Sequence, residues 1–368
     1  MKVTLVAQQF RRPVPGGIGT YTRGLLMGLA AMGDDAPNVC LTASRAPAGP
    51  DPLEDFGVAY HPSAAPARVL TGLWAHGLMS MAADAGVVHS TSLAFPNARG
   101  PLSVTIHDLS WRNPANGFSA RGVRWHEAAL DRAFKRARLL IVPSPQVADS
   151  VRTAGASPDL VHVVPEGCDH LGLPDAGATD ELLKRHGIDT PFLLSVSTLE
   201  PRKNLSRLFQ AYALARGRLP GPWPLVVVGP KGWGDAPERT PGVVLVGSVA
   251  DGVLSGLYGR AQCVAYVPLE EGFGLPAVEA MAAGAGVVAS PVPSLGLADE
   301  ATGLGSSPKR PAWVVDPLNL ADMAEGLVAM CTDGPDRDEV IRAGTDRAAL
   351  LTWQACARRH VALWESIA

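Results

Sequence analysis

Apolar residues in this chain come in short, β-branched runs separated by longer stretches with helical spacing. The runs predict strands over Val3–Ala7, Val87–His89, Ser103–His107, Leu139–Pro143 and Val161–Pro165. A polar, glycine-containing stretch from about Gly167 to Thr190 interrupts the series. It restarts with Phe192–Ser197, Leu225–Gly229, Val243–Val246, Cys263–Val267, Val287–Ser290 and Trp313–Val315. Continuous apolar strands between helices indicate parallel sheets covered on both faces. Two such series predict an α/β chain of two doubly wound, Rossmann-like domains, residues 1–175 and 176–352. Ligands are then expected at the carboxyl ends of the strands and in the cleft between the domains. The last helix, Trp353–Ile367, has no strand after it, and segment 353–368 is free to pack back on the first domain.

Composition narrows this picture. A chain of 368 residues exceeds one ordinary core, which agrees with two domains. A net charge of −3 argues against a general nucleic-acid binder while allowing a local basic patch. The five cysteines (Cys40, Cys168, Cys263, Cys331, Cys356) form no CxxC pair, which suits reduced cytosolic thiols and offers no zinc site. MKVTLVAQQF reaches Arg11-Arg12 too soon for a signal peptide, and no apolar run is long enough to span a bilayer. The expectation is a soluble cytoplasmic protein.

The most informative stretch is EEGFGLPAVEAMAAG, residues 270–284, just after the strand that ends at Val267. Pro276 suits the first helical position, where a missing N–H costs nothing. Gly272 and Gly274 let the backbone approach a ligand, and free amides near Gly274 and Leu275 would face an anion at a helix N-terminus. Glu279 is expected in the first helical turn and Glu271 just before the loop. Each carboxylate offers two acceptor oxygens for adjacent hydroxyls. Diols at both ends with phosphate between describe a sugar nucleotide, although acids near a helix start also stabilise the helix dipole by themselves.

Glu271 and Glu279 in E-x7-E spacing inside EGFGLPAVEAMAAGAGVVAS closely resemble the signature of glycosyltransferase family 4. That resemblance implies the two-domain GT-B fold and retention of the donor's anomeric configuration. It implies that Glu279 holds the ribose hydroxyls and Glu271 a donor-sugar hydroxyl, with the amides of Phe273, Gly274 and Leu275 toward sugar and phosphates. Further matches run in order along the chain. Ser197–Leu205 (STLEPRKNL) is similar to the family's EPRKN box. Arg202 can fork onto phosphate oxygens and Lys203 adds a compact charge, which together stabilise a departing nucleoside diphosphate without metal.

Pro15–Tyr21 (PGGIGTY) places glycines between a strand and a helix, where backbone can meet phosphate. It is not a dinucleotide fingerprint, because Thr22 occupies the third glycine position. The resemblance puts Gly17 near the donor phosphates and Gly16, Gly19 and Tyr21 on the acceptor side; a plain tight turn is the other reading. Thr105–Ser110 (TIHDLS) resembles the family's HDL segment, which implies that His107 contacts the donor sugar. Asp108 either positions it, touches the acceptor, or caps a turn. In Gly229–Gly234 (GPKGWG), a box found in members that often use GDP-mannose, Lys231 suits phosphate, base or solvent. Leu257 and Tyr258 suit a base pocket or the core.

Retaining transfer through a covalent intermediate needs a nucleophile beneath the anomeric carbon, and no clear candidate is present. The residues suit same-face attack, with the leaving phosphate taking the proton and the protein positioning charge. Asp336-Arg337-Asp338 is formally D-x-D but begins a polar helix, where aspartates favour the N-terminus. His126-Glu127 lacks a second histidine, so no metal is expected, and no cofactor motif is found. Residues 121–138 (RGVRWHEAALDRAFKRAR) place Arg121, Arg124, Arg132, Lys135, Arg136 and Arg138 on one helix side, with Val123, Leu130, Phe134 and Ala137 opposite. Such a stripe suits a solvated face, an anionic acceptor or lipid headgroups at the inner face of the plasma membrane. Two departures from the family are Glu166, where asparagine is frequent, and ASPVPSLGLADEATGLG after Val288, where relatives carry a Ser-Leu-Pro-Glu segment.

The expected function is transfer of a hexose, such as mannose from GDP-mannose, from a nucleotide sugar to a sugar or lipid-linked sugar acceptor, as in polysaccharide biosynthesis. A nucleotide-sugar epimerase or phosphorylase of the same fold would need further acid/base residues or a pyridoxal-phosphate lysine. A silent nucleotide-sugar sensor would lack acceptor-side residues, and a nicotinamide dehydrogenase would need the full glycine fingerprint.

Overall fold

The computed structural model describes residues 1–12, 14–81, 86–233, 239–297 and 310–368. The strands are β1 (Lys2–Val6), β2 (Asn38–Thr42), β3 (Ala59–Tyr60), β4 (Ser80–Met81), β5 (Val87–Ser90), β6 (Asn97–Ala98), β7 (Leu102–Thr105), β8 (Leu139–Val142) and β9 (Val161–Val163), then β10 (Leu193–Val196), β11 (Leu225–Val228), β12 (Val243–Gly247), β13 (Cys263–Tyr266), β14 (Val287–Ala289) and β15 (Trp313–Val314). The helices are α1 (Gly16–Ala30), α2 (Ala67–Ala75), α3 (Ala120–Arg136), α4 (Pro145–Thr153), α5 (Ala176–Arg185), α6 (Leu205–Ala215), α7 (Asp251–Arg260), α8 (Leu275–Ala282), α9 (Leu320–Cys331), α10 (Pro335–Ala349) and α11 (Trp353–Glu365). They form two compact units, one of residues 1–112, 118–170 and 352–368, the other of residues 113–117 and 171–351.

The first unit is built on a sheet of order β3-β2-β1-β5-β7-β8-β9, parallel throughout. β5, β7 and β8 are buried along their whole length; β8 is apolar throughout, while β5 and β7 carry buried polar residues, His89 and Ser103, whose side chains pair at 3.0 Å. The order reverses between β1 and β5, which is where an open α/β sheet leaves a crevice at its carboxyl edge. β2 and β3 fall where the sequence reading has no strand: β3 is two residues long, and a loop rich in proline and glycine separates it from β2.

Helix α11 completes this unit by lying on α1. A Cβ at Gly24 would stand 2.0 Å from the Trp353 ring, and one at Gly28 would stand 2.0 Å from the Trp353 carbonyl oxygen. The two helices approach this closely only because those positions carry no side chain. Tyr21, Trp353, His360 and Trp364 fill the space beneath, all fully buried.

The second unit has a parallel sheet of order β12-β11-β10-β13-β14-β15. Its reversal lies between β10 and β13. Helices α6 and α9 cover one face, with Leu208, Phe209, Tyr212, Met323 and Leu327 against Leu193, Leu225 and Ala265. Helix α10 packs on α8, and a Cβ at Gly344 would stand 3.0 Å from the Met281 side chain.

Candidate active site

The loop after β10 carries the two cations. Pro201–Lys203 forms a single 3-10 turn, ended by Asn204 in the left-handed region at φ 61°. Asparagine tolerates that conformation better than most residues. Its buried side chain also anchors the loop by donating to the carbonyls of Val267 (3.1 Å) and Pro317 (2.7 Å). Arg202 Nε donates to Glu200 Oε1 at 2.6 Å, and its Nη1 reaches Glu271 Oε1 at 3.3 Å. Lys203 Nζ donates to Glu271 Oε2 and, at 2.9 Å, to the Tyr266 hydroxyl. That hydroxyl donates in turn to Glu271 Oε2 at 2.5 Å.

Glu271 therefore sits between two cations and a phenol, with only 13% of its side chain exposed. Burial pushes its carboxyl upward, but the charges of Lys203 and Arg202 outweigh that and hold it well below the usual carboxylate range. Burial lowers the Lys203 ammonium, opposed by Glu271. Tyr266 is raised well above the usual phenol value, first by burial and then by the adjacent carboxylate. Arg202, Lys203 and Glu271 are thus brought together, and Tyr266 joins them. No motif marks Tyr266 in the sequence; its only signal is the end of an apolar strand.

The turn from Gly272 to Leu275 leads into α8. Gly274 is the N-cap at φ 101°, Leu275 is the first helical residue and Pro276 the second. Glu279 is consequently the fifth helical residue, not part of the first turn as the sequence suggested; the left-handed glycine starts the helix one residue early. Glu279 is buried and accepts from the Tyr258 hydroxyl at 2.8 Å. Tyr258, with Leu257, lies in the core, so its contribution here is through its oxygen. Phe273 and Leu275 turn their side chains inward. Among the described residues, the amides of Phe273, Gly274 and Leu275 donate to no protein acceptor.

Two neighbouring segments frame this turn. Asn113 and Asn116 both donate to Glu270 Oε2, at 3.3 and 3.1 Å, and Trp233 Nε1 donates to the Asn116 carbonyl at 2.9 Å. Lys231 is exposed, with its backbone bridged to Leu199, and Gly234 of the same box lies outside the described residues. Asp336 and Asp338 stand in the first turn of α10. The departing segment after Val288 is described only to Leu297.

In the first unit, His107 follows β7. Its Nε2 lies 3.0 Å from the Thr91 carbonyl and its Nδ1 3.2 Å from Glu166 Oε1. A carbonyl only accepts, so Nε2 carries a proton, and the carboxylate favours a second proton on Nδ1. Burial opposes this charge, but Glu166 prevails and raises the imidazole above its ordinary value. Glu166, noted in the sequence only as a departure, is thus the residue that holds His107. Asp108 Oδ1 accepts from the Ser110 amide (3.0 Å) and hydroxyl (2.8 Å), the turn-capping arrangement.

Gly16 opens α1 at φ 61° and Gly17 is exposed beside it; a Cβ at Gly19 would collide with Pro15 at 2.4 Å. Tyr21 requires a correction. Expected on the acceptor side, it is 1% exposed, its hydroxyl 2.8 Å from both Thr105 Oγ1 and His360 Nε2, and its ring edge-on to His107. A side chain enclosed in this way meets no acceptor; it supports His107. Arg132 also departs from the expected stripe. Its guanidinium packs over the Phe95 ring at 4.2 Å and donates to the Ala75 carbonyl at 3.2 Å, leaving Arg121, Arg124, Lys135, Arg136 and Arg138 exposed.

Two family models match the chain: Glycosyltransferase Family 4 over residues 15–170 and Glycosyl transferases group 1 over residues 179–347. The chain belongs to this glycosyltransferase family, with the paired parallel-sheet units of the GT-B fold. It is 26% identical over 286 residues to the O-antigen chain mannosyltransferase B of Escherichia coli, covering 75% of this chain and 73% of that protein. The MMP alpha-(1->4)-mannosyltransferase of Mycolicibacterium hassiacum is 27% identical over 284 residues, 72% of this chain and 65% of that one. Among solved structures, Anabaena HepE in complex with UDP and glucose aligns over 100% of both chains with a TM-score of 0.70 and 19% identity. The chain is therefore a hexosyltransferase similar to mannosyltransferases. No described helix is long and apolar enough to cross a membrane.

Proposed function

We propose that this protein is a retaining glycosyltransferase that moves a hexose, mannose from GDP-mannose, to a sugar or lipid-linked sugar acceptor. The observation that carries the reading is the placement of Arg202, Lys203 and Glu271 at the carboxyl ends of the adjacent strands β10 and β13, beside amides that donate to no acceptor among the described residues. In this reading Arg202 and Lys203 take the diphosphate, and the amides of Phe273, Gly274 and Leu275 add to them. Glu279, oriented by Tyr258, takes the ribose hydroxyls, and Glu271 a hydroxyl of the donor sugar. Gly17 and His107 complete the donor contacts, while Gly16, Gly19 and Asp108 face the acceptor. The mannosyltransferases among the relatives support the choice of sugar.

In the reaction, the bond from the anomeric carbon to the phosphate oxygen breaks, and the acceptor oxygen bonds to that carbon on the same face. The acceptor proton passes to the leaving phosphate, whose charge Arg202 and Lys203 stabilise. Glu271, held between those cations, serves as a hydroxyl acceptor and not as a nucleophile. The exposed basic residues of α3 suit an anionic, lipid-linked acceptor at a membrane surface. Thermal unfolding with GDP, UDP, ADP and dTDP, without added metal, tests the reading. A ligand at 100 times its dissociation constant adds about 2.7 kcal/mol. GDP is expected to give a selective shift that Glu279→Ala diminishes, and equal binding by the variant would remove the ribose assignment.

A further inference from the structure

The turn assigned to the diphosphate is held from behind by a loop that the reaction above does not use. The 3-10 turn Pro293–Leu295 follows β14 and carries Ser294, which is fully buried. The Ser294 amide donates to the Phe273 carbonyl at 2.9 Å, and its hydroxyl donates to the Gly274 carbonyl at 3.0 Å. A trans peptide unit is planar, so its carbonyl and the next residue's N–H point in opposite directions. Holding the Phe273 carbonyl therefore aims the Gly274 N–H, and holding the Gly274 carbonyl aims the Leu275 N–H. Both amides point away from Ser294. The fit is close: a Cβ at Gly274 would lie 3.0 Å from Val292 and 3.1 Å from Ser294 Oγ.

Ser294 is in turn braced by α10. Arg347, 3% exposed, donates from Nε to the Ser294 carbonyl at 3.0 Å. Its guanidinium lies against Gly296, where a Cβ would stand 2.5 Å from Cζ. A buried guanidinium loses hydration, so its retention at this point needs a structural return. The return visible here is a fixed loop behind the acidic turn.

We infer that Ser294, braced by Arg347, is the positioning residue that aims the Gly274 and Leu275 amides at the phosphate oxygens of a nucleoside diphosphate. The inference rests on the proposed function, in which this turn binds the donor. Neither residue touches the ligand. Their loss loosens the phosphate contacts and spares the nucleoside contacts made through Glu279.

Calorimetric binding of GDP against guanosine, and of UDP against uridine, to wild type, Ser294→Ala, Arg347→Met and Arg347→Lys tests this. Ser294→Ala is expected to bind the nucleotide about tenfold more weakly, the size of one misaligned hydrogen bond to a charged group. Its affinity for the nucleoside stays within about twofold, the scale of an unaffected contact. Arg347→Met should follow the same pattern, and Arg347→Lys, still a donor to the Ser294 carbonyl, should recover part of the loss. Wild-type nucleotide affinity in Ser294→Ala, or equal weakening of nucleotide and nucleoside, overturns the inference and leaves the diphosphate reading standing. A wild type that binds neither GDP nor UDP removes both. Should the variants unfold, the wild type alone decides: the Gly274 and Leu275 amide resonances must shift with bound nucleotide and not with nucleoside, and unmoved resonances overturn the inference.

Discussion

Lys203→Met is the sharpest probe of the cation–carboxylate cluster, because it removes the charge and keeps an apolar stem. Only 10% of the Lys203 side chain and 13% of Glu271 are exposed, so the pair is largely desolvated. Removing one partner of a buried pair costs about 3–5 kcal/mol, since the other charge stays buried. Here Arg202, at 3.3 Å, and the Tyr266 hydroxyl, at 2.5 Å, still serve the carboxylate. Those contacts reduce the expected loss to about 2–3 kcal/mol. For a unit of this size that is a melting shift of roughly 4–12 °C. Glu271→Gln should cost a similar amount, and the double variant should show a coupling of about 2 kcal/mol. The pH dependence follows from the depressed carboxyl of Glu271. Its contribution is complete above the unfolded carboxylate value of about 4.3 and is lost as pH falls through the folded value. Urea unfolding should therefore give a constant difference between wild type and Lys203→Met from pH 8 to 5, narrowing in strong acid. A difference below about 0.5 kcal/mol at pH 7, the scale of an exposed pair, would refute the desolvated arrangement.

Two further outcomes follow from the first unit. Glu166→Gln should lower the His107 ionisation, read from the ring proton resonances. Because His107 is raised by Glu166, the pair stabilises the fold below the unfolded histidine value of about 6.5, and that contribution disappears as pH rises through the folded value. An unchanged titration in the variant would break the assignment. Gly28→Ala places a methyl 2.0 Å from the Trp353 carbonyl, and overpacking against backbone should cost about 3 kcal/mol. Gly17→Ala, with open space around it, is the control and should melt within about 2 °C of wild type, the range of an innocuous surface change.

The two strand series were legible because parallel strands covered on both faces read as uninterrupted apolar runs, and β8, β11 and β13 are of that kind. β2 and β3 were not legible: in Asn38–Thr42 polar ends leave an apolar run of only three residues, and β3 is two residues long. Glu271 was singled out by the E-x7-E turn, and Arg202 and Lys203 by their place at a strand end and the resemblance to the EPRKN box; the structure brings the three together. The supporting contacts were invisible. Tyr258 and Glu166 were noted in the sequence, but not their bonds to Glu279 and His107; Tyr266, Asn204 and Ser294 likewise act through single oxygens or amides, and no periodicity records such contacts. Tyr21 shows the converse error. It sits in a glycine loop segment that invites a functional reading, yet one turn into α1 its side chain already faces the core.

The topology explains why the chemistry gathers where it does. In the second unit the chain leaves β10 and β13, neighbours in the sheet, toward opposite directions, so the loops after them diverge at the carboxyl edge. Arg202 and Lys203 stand on one of those loops and Glu271 on the other. The first unit repeats the arrangement: the glycine loop follows β1, Thr91 follows β5, and His107 follows β7. A diverging pair of loops gives room for a ligand but little packing to hold side chains in place. Polar anchors supply what packing does not: Asn204 ties the cation loop to Val267, Glu166 and Thr91 fix both ring nitrogens of His107, and Ser294 fixes two carbonyls of the acidic turn. Each anchor draws a loop of the crevice onto a buried acceptor or donor. In each unit, therefore, the loops at the carboxyl edge are held as much by these buried polar anchors as by the strand ends they leave.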